Sequence, residues 1–99
     1  MTIPIIGDTF NGVDISFDPE KRAETLRHRG LDFADAGLVF AGRTVTVQDL
    51  RRDYGEDRFI TAGHTGQRCV VLVWTPRGGA RRIISMRFAH AEEEKHWFG

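Results

Sequence analysis

The sequence holds one cysteine, Cys69. An internal disulfide is therefore impossible, and the chain reads as one suited to a reducing compartment. Cys69 opens the apolar run Cys69-Val70-Val71-Leu72-Val73-Trp74, which favours a buried thiol over a reactive one. No stretch approaches the roughly 20 apolar residues that a bilayer-spanning helix needs. The segment Met1 to Phe17 lacks a basic start followed by an apolar block, so it does not read as a secretory signal. Gly-rich phosphate loops of the P-loop or dinucleotide type are absent. The four histidines, His28, His64, His90 and His96, are too dispersed to pair with the one cysteine as a zinc site. Asp53, Glu56 and Asp57 read as an acidic turn. The expectation is a protein with no metal and no cofactor.

Lysine is scarce too. Of 14 basic residues, twelve are arginine, whose planar fork suits phosphate oxygens better than a lysine point charge does. The formal net charge is zero, but its distribution is uneven. Arg58 to Ala91 carries six arginines (58, 68, 77, 81, 82 and 87) and no acid. Acids outnumber bases on both sides of that block, in residues 1–57 and in 92–99. A cationic block of this kind fits a solvated strand face or a nucleic-acid contact.

The 99 residues suffice for one domain. Residues 1–12 read as an irregular extension open to ordering by a partner, ahead of a single domain over 13–99. Val13 to Phe17 alternates apolar and polar side chains, as a half-buried strand does. Asp18-Pro19-Glu20 is a helix start, and that helix should stop at Gly30. Asp32 caps a second expected helix, with Phe33, Ala36, Gly37 and Phe40 on one face, ending at Ala41-Gly42. The period then becomes strand-like: Thr44 to Val47, Arg58 to His64, Arg68 to Thr75 and Arg81 to Ala89, with a hairpin turn at Pro76-Arg77-Gly78-Gly79. Ala91 to Phe98 reads as a terminal helix. The expected class is α+β: an antiparallel sheet with two N-terminal helices packed on one face and a short C-terminal helix.

Strict alternation in the last strand puts Ile84, Met86 and Phe88 on one face, and Arg81, Ile83, Ser85 and Arg87 on the other. Arg58 shares a face with Ile60, Ala62 and His64. Paired arginines suit metal-free RNA cleavage, in which charge develops on phosphate oxygens as the 2′-hydroxyl attacks. Such a reaction also needs a base and an acid, for which His28 and His90, at the two helix ends, are the candidates. Arg68, Arg81, Arg82 and Ser85 are candidate RNA contacts. Tyr54 is either a platform for a base or a cover for the sheet edge.

Three groups of motifs occur in order: Phe17-Asp18-Pro19-Glu20-Lys21 with Gly30-Leu31-Asp32-Phe33-Ala34-Asp35-Ala36 and Val39-Phe40; Asp53-Tyr54-Gly55-Glu56-Asp57-Arg58-Phe59-Ile60; and Val71-Leu72-Val73-Trp74-Thr75 with Arg82-Ile83-Ile84-Ser85-Met86-Arg87. Over about residues 13–97 the chain resembles the BrnT toxins. The resemblance implies a RelE-like fold and a ribonuclease toxin of a type II toxin–antitoxin system in the bacterial cytoplasm. It implies that cleavage of RNA arrests translation, and that a BrnA-type antitoxin with a DNA-binding domain neutralises the toxin. Operator DNA would be reached only through that antitoxin, and no membrane is involved. Arg58 and Arg87 are the positions the resemblance marks as catalytic. The acidic last helix, Glu92-Glu93-Glu94-Lys95-His96-Trp97, admits an alternative: a catalytically attenuated module that only binds its antitoxin.

Overall fold

Four of the five strands follow one another along the chain and are built from the β-branched and aromatic residues that suit a pleated surface. A computed structural model describes residues 14–99; the expected extension over residues 1–12 lies outside them. The elements are β1 (Asp14–Phe17), α1 (Pro19–Arg29), a 3-10 turn (Phe33–Asp35), α2 (Ala36–Ala41), β2 (Val45–Gln48), β3 (Phe59–Thr65), β4 (Arg68–Arg77), β5 (Ala80–Phe88) and α3 (Ala91–Phe98). They form an α+β domain around a five-stranded sheet of order β1-β5-β4-β3-β2.

The sheet is mixed, not antiparallel throughout. β2, β3, β4 and β5 pair antiparallel, while β1 lies parallel to β5, with Asp14 opposite Ala80 and Phe17 opposite Ile83. The first strand meets the last across nearly the whole described chain, so no hairpin forces it to run the other way. β1 pairs with β5 only as far as Ile83.

The helix-covered face holds the core. Leu31, Phe33, Ala36 and Val39 pack there on Val70, Leu72, Trp74, Ile83 and Met86. Phe59 stacks on Trp74 at 4.9 Å between ring centroids, and Phe40 meets the same indole edge-on at 5.7 Å. The Trp74 indole N–H donates to Thr61 Oγ1 at 2.8 Å, which satisfies a polar atom inside the core. Gly63 lets the sheet approach α2: a Cβ there would lie 2.5 Å from Val39 Cγ1.

Two features depart from the expected pair of packed helices. The segment after Asp32 opens as a 3-10 turn, with Asp35 N donating to Asp32 O at 2.9 Å, and becomes α-helical only at Ala36. α1 contains no buried residue. It is tied to the domain by polar contacts: Arg22 forms a forked pair with Asp32 at 2.7 and 3.0 Å, and Arg29 Nη1 donates to Met86 O at 2.9 Å. Its Asp18 side chain accepts from Glu20 N, and Gly30 closes it in the left-handed conformation at φ 70°.

α3 lies on the opposite face. The Phe98 ring sits 4.7 Å from the His64 ring and beneath the Arg43 guanidinium at 5.0 Å. Among the described residues no helix is long and apolar enough to cross a membrane.

Candidate functional site

The final strand does not keep strict alternation. Between Val73 and Trp74 the β4–β5 register shifts: Ser85 faces Val73, Ile83 faces Trp74, and Ile84 is the extra residue of a bulge. Ile83 therefore turns into the core beside Met86, and both are essentially buried. The inversion carries Arg81 with it. Its guanidinium lies over the Phe40 ring at 4.3 Å and the Trp74 ring at 4.7 Å, on the helix side, where burial lowers its pKa. The expectation that Arg81 shares a face with Ser85 and Arg87 is thus corrected. Arg82, opposite Thr75, takes its place on the other face.

Arg87 stands opposite Val71 near the end of β5. It lines an open cleft of about 480 Å³ together with His28, Arg29, Phe88 and His90. The cleft lies beside the part of β5 that β1 leaves unpaired. His28 and Arg29 arrive from the exposed last turn of α1, and His90 from the residue before α3. Three of the four residues proposed from sequence as catalytic (His28, Arg87 and His90) are thereby neighbours. Phe88 supplies an apolar wall, and the Arg68 guanidinium sits 3.6 Å from the centre of its ring.

Arg58 is not in that cleft. It precedes β3, whose Phe59 faces Trp74 on the helix side, so alternation gives Arg58 the same open face as Arg87. One residue before Phe59, it extends the register to a place opposite Thr75, so Arg58 stands roughly 13 Å along the strands and about 10 Å across the sheet from Arg87 by standard strand spacing. Arg58 donates to Glu56 at 3.2 Å, and Glu56 also receives Arg77 at 3.2 Å.

A buried aspartate holds the loop that carries Arg58. The Asp49 side chain has no solvent exposure. It accepts a fork from Arg51 at 2.8 and 2.7 Å, the Arg51 backbone N–H at 3.2 Å and the Tyr54 hydroxyl at 3.0 Å. The Arg51 hydrogen bonds above all, with further ones from the Arg51 backbone and Tyr54, hold its carboxyl well below the usual carboxylate range despite burial. The Tyr54 ring in turn lies 4.2 Å from the Arg58 guanidinium carbon and 5.4 Å from that of Arg52. Tyr54 is thus engaged by arginines.

The electrostatics of the cleft are set by Glu93. Its carboxylate receives both Arg87 amino groups, at 2.8 and 2.7 Å, and the His90 backbone N–H at 2.9 Å. The hydrogen bonds from Arg87 and then from His90 pull its pKa down to about 2. Arg87 is correspondingly held in its charged form, chiefly by the same hydrogen bonds. Arg29 spends one donor on Met86 O, and among the described residues no carboxylate pairs with it. Sequence reading missed Arg29 and Glu93. Arg29 looked like an ordinary cation in a helix's last turn. Glu93, three residues after His90, fits the spacing of a helix cap, a weak signal when the leading residue is histidine.

Cys69 is buried, and burial first, then the charges of Glu94 and Glu93, push its thiol pKa up. Among the described residues no three His, Cys, Asp or Glu side chains gather as a metal-binding group.

The sequence model described as "Ribonuclease toxin, BrnT, of type II toxin-antitoxin system" matches residues 17–93. The chain belongs to the BrnT family. The match runs from β1 through the first residues of α3, so Arg58, Arg87, His28 and His90 all fall inside it. As a BrnT family member the chain is a ribonuclease toxin of a type II toxin–antitoxin system, with RNA as its substrate and an antitoxin as its partner. No curated protein matches the chain.

Proposed function

We propose that the chain is a metal-independent endoribonuclease whose active site is the cleft at the free edge of β5. The observation that carries this reading is the convergence of His28, Arg29, Arg87 and His90 around one cleft in a chain of a ribonuclease family. Arg87 and Arg29 bind the scissile phosphate and stabilise the charge that grows on its oxygens. One histidine takes the proton from the 2′-hydroxyl, whose oxygen attacks phosphorus. The other returns a proton to the departing 5′-oxygen as the P–O5′ bond breaks. The products are a 2′,3′-cyclic phosphate and a 5′-hydroxyl. Arg58, Arg82 and Ser85, on the same open face, contact flanking nucleotides, with Tyr54 orienting Arg58 and Arg68 backing the cleft through Phe88.

In this reading residues 13–99 form one toxin domain on a RelE-like fold, acting in the bacterial cytoplasm. Cleavage arrests translation. A BrnA-type antitoxin neutralises the toxin and carries the DNA-binding domain that reaches the operator. A second reading, an attenuated module that binds its antitoxin without cleaving, is favoured by the occupation of Arg87 by Glu93.

The test is cleavage of single-stranded RNA by the purified chain in excess EDTA. The expected result is fragments ending in 2′,3′-cyclic phosphate, with His28→Ala and His90→Ala each slowed about 100-fold. Dependence on an added divalent cation, or 5′-phosphate products, would overturn the mechanism. Binding without any cleavage would favour the attenuated module.

A further inference from the structure

The Glu93 carboxylate does more than cap a helix. Capping requires only the bond from the His90 backbone N–H, yet both Glu93 oxygens also face the fork of Arg87 in the bidentate geometry that a phosphate adopts on arginine. The rest of α3 has the features of a detachable element. It contains no buried residue, and its first turn is acidic, with Glu92, Glu93 and Glu94. Its contacts include the Phe98 ring against His64 of the sheet and Arg43 of the loop before β2, and a 4.0 Å approach of Glu94 to His64. In the Arg87–Glu93 pair both side chains keep part of their exposure, 41% and 31%. Water therefore reaches both groups, and a polyanion that engages Arg29 and Arg87 together competes with the carboxylate for the same fork.

We propose that Glu93 is a built-in competitor for the cleft: its carboxylate holds the phosphate position on Arg87, and an RNA phosphodiester enters by exchanging with it. The inference rests on the reading of the cleft as the RNA site. It gives α3 a regulatory role. The helix keeps Arg87 preorganised and neutralised until RNA arrives, and it favours strands that offer several phosphates over a lone phosphate ion, which gains no contact with the other arginines of the open face. Anything that lifts the first turn of α3 raises the affinity of the cleft, and anything that pins it lowers that affinity.

The experiment measures binding of a short 2′-O-methyl RNA, which cannot be cleaved through its 2′ position, to the full chain by fluorescence anisotropy across a salt series. Glu93→Gln removes the competing charge while keeping an oxygen for the His90 N–H. It is expected to bind about five- to tenfold more tightly, with a log–log salt slope steeper by about 0.7. Glu93→Asp, which keeps the charge but shortens its reach, is expected to fall between. Glu92→Gln makes the same change of net charge on the same turn, and should stay within about twofold of the parent because a distant exposed charge is screened. Adding Arg87→Ala to Glu93→Gln should erase the gain. Circular dichroism melting confirms that each variant is folded.

If the parent binds RNA and Glu93→Gln binds it no better, Glu93 is only a helix cap; the competitor role is then wrong while the RNA cleft stands. A gain that survives Arg87→Ala is a general charge effect and overturns the inference in the same way. Failure of parent and variants alike to bind RNA overturns both this inference and the reading of the cleft.

Discussion

Arg87→Ala is expected to lower RNA cleavage by about 100- to 1000-fold, the usual loss when a preorganised donor to a developing oxyanion is removed. The substitution deletes the one guanidinium in the cleft whose direction is fixed by a bidentate partner. Arg87→Lys keeps the charge but loses the planar fork, so most of the activity should still disappear. Neither change touches the buried core, because Arg87 projects from the face opposite Leu72 and Met86. Thermal melting should therefore move by a few degrees at most, and the variants should remain able to bind the antitoxin. In cells, induction of Arg87→Ala should no longer halt growth. Arg58→Ala, outside the cleft, should weaken RNA binding with a smaller effect on the rate at saturation. If Arg87→Ala cleaves at the parental rate, the catalytic centre lies elsewhere on the face, and the loop around Arg58 becomes the place to look.

Phe33→Ala is expected to produce the largest loss of stability, about 3 to 5 kcal/mol. Phe33 is 1% exposed and sits where the 3-10 turn meets the sheet, between α1 and α2. Its ring meets Phe17 of β1 edge-on at 6.1 Å. Removing it opens a cavity bounded by the short edge strand and by a helix of six residues, neither of which can collapse inward without losing its own pairing. For a chain of this size the melting temperature should fall by roughly 15 °C or more. Denaturant unfolding would give the free energy directly. A loss below about 1 kcal/mol would mean that the 3-10 turn does not anchor the helix layer.

Much of this architecture was legible in the sequence because the patterns are local. Asp18-Pro19 and Gly30 bound α1, and the gapless apolar run at Cys69–Trp74 marks the central strand. The ordered motifs around Asp53–Ile60 and Arg82–Arg87 carry the family. What the sequence concealed depends on partners distant along the chain. Alternation assigns Arg81 to the face of Arg87 only if the pleat is unbroken, and the bulge at Ile84 has no composition of its own. β1 reads correctly as a strand, but nothing in Asp14–Phe17 says that its neighbour is β5 or that the two run parallel. α1 is expected among the helices packed on the sheet, yet it is held by Arg22 and Arg29 instead of buried apolar side chains.

The site was legible in the same partial way. His28, Arg87 and His90 could be nominated by chemistry, since histidine and arginine are what metal-free phosphodiester cleavage requires. Their meeting in one cleft could not be read, because it depends on where the end of α1 crosses the unpaired edge of β5. Whether Arg58 and Arg87 converge depends on cross-strand register, which the sequence does not show. They share a face but stand at different ends of it, since the register places Arg58 opposite Thr75 and Arg87 opposite Val71. The role of Glu93 was hidden by its ordinariness: a glutamate in the first turn of an acidic helix carries no signal until its carboxylate is seen on Arg87.

The most direct measurement is a titration of the isotope-labelled chain with 2′-O-methyl RNA, followed by backbone amide shifts. RNA bound in the cleft should move His28, Arg29 and the segment Arg87 to Glu93 most. Shifts gathered instead around Val47 of the opposite edge strand β2 and the exposed Leu50 that follows it, with the β5 edge unmoved, would contradict the account.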